Sequence, residues 1–161
     1  MREILLITLT LASLRFTTAA DLPVRRTLTL DAAQRIADEA KAEAVKRGST
    51  VVIVVVDEGG YPIILERLDD TQVASVEVGI GKARTAAIFR RPSGAFEEQI
   101  RNGRIAALAL PGATPLQGGI PIEYEGRVIG AIGVSGNTPQ EDEEIAKMGA
   151  SAAARIIASA K

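Results

Sequence analysis

From Pro115 to Gly136 the chain reads PLQGGIPIEYEGRVIGAIGVSG, two strand-like runs around a Glu125-Gly126 turn, with glycine at 118, 119, 126, 130, 133 and 136. Glycine inside a strand costs backbone entropy and packs nothing. Its repetition here points to close approach of another backbone or of a flat ligand. Upstream, Val51–Val56 is a continuous β-branched run, which predicts a strand buried on both faces or central in a sheet. Glu58-Gly59-Gly60 turns the chain and Tyr61–Leu68 returns it, making a second hairpin.

Helical patterns separate these hairpins. Leu28–Arg47 places Ala33, Ile36, Ala37, Ala40 and Ala44 on one face, with Thr29 or Asp31 to cap it and Gly48 to end it. Val73–Arg91 follows, with Val73, Val76, Ile80, Ala83, Ala87 and Ile88 as its apolar face and Pro92 as its stop. Gly79 and Gly81 weaken this helix by about 1 kcal/mol each unless something packs against them. Ser93–Arg101 reads as a short capped helix and Ile105–Leu110 as a short strand. The clearest start is Thr138-Pro139-Gln140-Glu141: a capping threonine, proline at the first helical position and glutamate at the third. Adjacent hairpins among helices predict an α+β domain, an antiparallel sheet flanked by helices.

The chain has 161 residues, enough for one domain with a real core. Apolar residues make up 47% but aromatics only 3%, so that core is built from Ala, Val, Ile and Leu. Net charge is -1, which argues against a general nucleic-acid binder. There is no cysteine and no histidine. Disulfides, thiolate chemistry, Ser-His-Asp catalysis, imidazole zinc sites and the commonest haem ligand are therefore excluded. Residues 1–20 have the layout of a secretory signal peptide: Arg2, an apolar run Ile4–Leu14, and Thr18-Ala19-Ala20 before Asp21. The run is too short to span a bilayer. The expected mature domain, residues 21–161, carries net charge -2 and is periplasmic or secreted.

Several constellations bear on chemistry. Gly79-Ile80-Gly81 and Gly130-Ala131-Ile132-Gly133 lack the third glycine and the strand-to-helix context of a dinucleotide fingerprint. Glu141 and Glu144 form a Glu-x-x-Glu pair that could offer oxygen ligands to an iron ion. Capping and dipole stabilisation explain the same residues without one. Lys82, Arg84, Arg90 and Arg91 form a basic cluster that could clamp carboxylates, or could simply solvate a helix face. Tyr61 and Tyr124 are the only tyrosines. A tyrosinate can ligate ferric haem, although an amphipathic strand residue explains either tyrosine equally well.

Val56-Asp57-Glu58-Gly59-Gly60, Arg67-Leu68-Asp69, Gly81-Lys82-Ala83-Arg84-Thr85-Ala86 and Phe89-Arg90-Arg91-Pro92-Ser93 together resemble the GlcG/HbpS-like family, the so-called haem-degrading domain. Pro115–Pro121 and Val128–Gly136 resemble it too, so the likeness runs collinearly from about Leu28 to Ala158. It implies a profilin- or PAS-like α/β sandwich with an antiparallel sheet of about five strands. It also implies a homo-oligomer, from dimer to octamer, and haem binding for sensing, storage or breakdown. Exported members imply a membrane sensor kinase as partner. The family often has histidine after the double glycine, where this chain has Tyr61, so either Tyr61 takes over as iron ligand, a threonine such as Thr114 contributes, or this chain does not ligate iron strongly. Lys82, Arg84 and Arg90 are then expected to hold the propionates, in a slot lined by Gly118 and Gly119. The alternative is an enzyme or binding protein for a small organic acid such as a hydroxy acid. It would use the same cations with Asp57, Glu66 or Glu123 as acid–base groups.

Overall fold

The computed structural model describes residues 20–158; the expected leader lies outside them apart from Ala20. Nine elements follow in order: α1 (Leu30–Arg47), β1 (Val52–Asp57), β2 (Pro62–Arg67), α2 (Ser75–Phe89), α3 (Gly94–Arg101), a 3-10 turn (Ile105–Ala109), β3 (Gly119–Tyr124), β4 (Arg127–Ser135) and α4 (Pro139–Ala158). The sheet has four strands rather than about five, in the order β2-β1-β4-β3, with every neighbour antiparallel. The fold is α+β, as expected.

Strand alternation explains why the β1 run is apolar throughout. Val51, Ile53 and Val55 join the larger core under α1 and α4. Val52, Val54 and Val56 face the other way, into a smaller core under α2. A strand covered by helices on both faces has no polar side to show. At α1 the caps behave as the sequence implies: the Thr29 hydroxyl accepts the Ala32 amide, and Gly48 ends the helix at φ 66. Ser93 does not cap α3, because its hydroxyl donates to the Leu116 carbonyl and accepts the Gly119 amide. Glu125 and Gly126, at φ 50 and 73, make the β3–β4 turn with both central residues in the left-handed region, as the twist of a tight hairpin favours.

The glycines inside β4 serve backbone approach. A Cβ at Gly133 would fall 2.6 Å from the Ala83 amide nitrogen of α2, and one at Gly79 would meet Val52 and Val54. Helix α2 therefore rests on β4 at a distance only small residues allow. Its buried face includes the expected Ala83 and Ala87, with Val76 and Ile80 packed against the same core, and adds Ser75, Gly79, Lys82, Thr85 and Ala86; Val73 and Ile88 are exposed. Ile105–Ala109 is helical, not a strand: Ala107 and Leu110 turn back onto Arg104 and Ala107, and no sheet edge reaches the segment.

Candidate functional site

The β1–β2 turn builds one side of the site. The Asp57 carboxylate accepts the amides of Gly59 and Tyr61, each at 2.9 Å, which fixes where Tyr61 leaves the turn. Gly60, at φ 82, is pressed against Arg84, whose Nε donates to the Gly60 carbonyl at 3.3 Å. The Arg84 guanidinium then lies 5.8 Å from the Tyr61 ring centroid. Tyr61 is 67% exposed, an unusual position for one of five aromatic residues in the chain. A recess of about 490 Å³ opens beside it, between the Thr27–Leu28 segment and the turn.

One helical turn before Arg84, Gly81 leaves room for Thr114, which packs directly on it. Thr85 holds Thr114 there: its hydroxyl donates to the Gly81 carbonyl and accepts the Thr114 amide, both at 2.7 Å. Tyr61 and Arg84 thus meet at the β1–β2 turn, while Thr114 packs on the same helix at Gly81. Arg90 is exposed at the α2 C-terminus, in the left-handed region at φ 53.

The other expected site residues lie elsewhere or have other partners. Lys82 is not on the rim: it is 4% exposed, and its ammonium donates to Asp142 at 2.7 Å and to the Val134 carbonyl at 3.0 Å. Gly118 and Gly119 line no slot. Both are buried, and a Cβ at Gly118 would lie 2.9 Å from the Lys82 Nζ. The Gly119 amide donates to the Ser93 hydroxyl at 2.8 Å, which anchors the loop to α3. Glu141 completes the expected cap, its amide donating to Thr138 at 3.3 Å, while Glu144 pairs with Lys147 at 3.1 Å. Among the described residues no group of three or more Asp or Glu side chains is placed to hold a metal ion. Of the alternative acid–base groups, Asp57 is occupied by its turn. Burial pushes the Glu66 carboxyl up, but hydrogen bonds from Gln34 and Lys41 outweigh it and hold the group below its usual range.

Asp142 is the residue the sequence reading missed. It sits three, four and seven positions before Ile145, Ala146 and Gly149, the buried face of α4, and that phase is the signal that could have placed it inside. A second, smaller pocket, of about 130 Å³, was also unforeseen; it lies between the first turn of α1 and the end of α4, near Tyr124.

Residues 28–151 match the family described as "Haem degrading protein HbpS-like". Protein GlcG of Escherichia coli K12 is 43% identical over 93 residues, covering 58% of this chain and 69% of that protein. Protein ORFY of Klebsiella pneumoniae has a similar crystal structure, with TM-score 0.78 and 28% identity over 85% of this chain and 97% of that one. A double mutant of Streptomyces reticuli HbpS superposes with TM-score 0.73 and 30% identity, over 83% and 97% of the two chains.

Proposed function

The chain belongs to the HbpS-like family, and from that membership we propose that it is an exported haem-binding protein, acting in haem sensing, storage or breakdown. The observation that carries the reading is Tyr61, held in the open by the Asp57 turn with a guanidinium over its ring. The donor chemistry fits. With neither histidine nor cysteine in the chain, an oxygen donor is the leading partner for the iron, and a tyrosinate is an established ferric haem ligand. Arg84, beside Tyr61, is the cation for a propionate, and Arg90 can add a second from the helix end. Thr114, packed on α2 at Gly81, is the other oxygen donor considered. Haem supplies a redox-active iron where it is bound; the chain's own residues supply the donor and the counter-charge. The open, shallow form of the surface suits completion by a second copy, in keeping with a homo-oligomer. A membrane sensor kinase is the partner expected of an exported member.

Titration of the purified protein with ferric haem, followed in the Soret region, tests this. One haem per chain is expected to give the spectrum of an oxygen-ligated ferric haem. Tyr61→Phe should abolish that spectrum, and Arg84→Ala should weaken binding about tenfold, or about 1.4 kcal/mol. A Tyr61→Phe spectrum unchanged from wild type would remove the tyrosinate, and a loss in Thr114→Ala instead would pass the role to Thr114. Free-haem spectra throughout would sink the reading. Export is checked by sequencing the N-terminus of the exported protein, which should begin at Asp21.

A further inference from the structure

The pocket of about 130 Å³ between α1 and α4 belongs to none of the haem surface described above, although Thr27 and Leu28 border both. Its walls are Leu28, Ala32, Ile129, Ile156 and Ile157, with Tyr124 beside them. Leu28 is seated by Gly130, where a Cβ would lie 3.2 Å from the leucine methyl. An apolar cavity of about 150 Å³ is large enough to stay dry and take up benzene. The mouth has the opposite character. Arg26 stands there, 5.9 Å from the Tyr124 ring centroid, and the first turn of α1 forms part of the rim and adds the positive end of its dipole.

Asp31 lines that mouth, Glu125 is tied to it through Arg26, and each carboxylate faces a cation. Asp31 lies 3.9 Å from Arg35, and Glu125 lies 3.5 Å from the Nε of Arg26. The Arg26 and Glu125 side chains are 62% and 57% exposed, so their pairing is weak and a second carboxylate can compete for the guanidinium. We propose that this pocket binds a small apolar monocarboxylate, between isobutyrate and benzoate in size, with its body among the isoleucines and its carboxylate on Arg26. The inference does not rest on the haem reading.

Benzoate and its neutral isostere benzyl alcohol are the probes, titrated into the full mature chain by calorimetry, with methyl NMR to locate the shifts. Benzoate should bind one to one with a Kd of about 1 mM or tighter. Shifts should centre on Leu28, Ile129 and Ile156. Arg26→Gln should weaken benzoate about tenfold and leave benzyl alcohol unchanged. Ala32→Leu should fill the pocket and abolish both, while the haem titration stays as in wild type. Ile157→Phe gives the same readout should the first filling variant not fold. The proposal is overturned by unsaturable benzoate shifts, by equal loss of both probes in Arg26→Gln, or by undiminished binding in a folded pocket-filled variant.

Discussion

Lys82 and Asp142 are 60 positions apart and meet at 2.7 Å inside the protein, their side chains 5% and 3% exposed. Each charge is matched beyond its partner. Lys82 also donates to the Val134 carbonyl, and the second Asp142 oxygen accepts the Asn137 amide at 3.0 Å. That matching is what a buried pair requires, because the desolvation of two ions is offset only by good geometry and satisfied remaining valences. Removing one partner strands the other. Lys82→Met is therefore expected to cost about 3–5 kcal/mol, measured by urea denaturation, because an unpaired carboxylate remains buried. The double replacement Lys82→Met with Asp142→Leu should recover most of that loss. A double variant as unstable as the single one would show that the helix contacts, not the stranded charge, set the cost. Sequence reading placed Lys82 with the surface arginines because net composition and local charge are blind to a partner so far along the chain. Its phase was legible: Lys82 falls three residues after Gly79 and four before Ala86, on the buried face.

At the scale of elements, α2 and β4 meet through residues with almost no side chain. A Cβ at Gly133 would lie 2.6 Å from the Ala83 amide nitrogen and 2.8 Å from the Ala83 Cβ, so the helix would have to lift as a unit. Gly133→Ala is expected to destabilise the fold by about 1–3 kcal/mol through overpacking, seen as a lower thermal midpoint. Gly126→Ala, where a Cβ meets nothing, would pay only for its φ of 73. Gly133 is not among the positive-φ glycines, so an unchanged midpoint in Gly133→Ala would show that helix approach does not select glycine in β4. This packing also explains what was legible. Helices α1 and α4 announce themselves through caps and regular apolar phase, and β1 through its unbroken β-branched run. Most of the α2 face was legible, Val76, Ile80, Ala83 and Ala87 meeting the core as expected; Val73 and Ile88 stay exposed because small residues such as Gly79 and Ala86 make the closest approach. The 3-10 turn at Ile105–Ala109 was taken for a strand because a short apolar run has the same composition in either form. The glycines of β4 were seen, and of the two causes they allowed, only the approach of a backbone is realised.

In the whole molecule, a four-stranded sheet separates two unequal cores. The larger lies under α1 and α4, and the smaller, built on three valines and four alanines, lies under α2. The proposed haem surface is on the α2 side, with Tyr61 and Arg90 exposed and Arg84 and Thr114 half-buried, so its contacts alone say little about the interior. Stability linkage reaches further. A ligand that binds only the native state raises the free energy of global unfolding by RT ln(1 + [L]/Kd), about 2.7 kcal/mol at a hundredfold excess over Kd. Amides that exchange only when the whole domain opens must all report that increment, wherever they lie. Val54 and Ile132 are fully buried in the two central strands, β1 and β4, and are the places to look. With haem at about a hundred times its Kd, hydrogen exchange at both should slow about a hundredfold, by the same factor on either side of the sheet. Tyr61→Phe at the same haem concentration should show little of this slowing. Protection confined to residues around Tyr61 and Arg84, with the central strands unchanged, would mean that haem rests on the surface without favouring the folded state, and the proposed site would be lost with it.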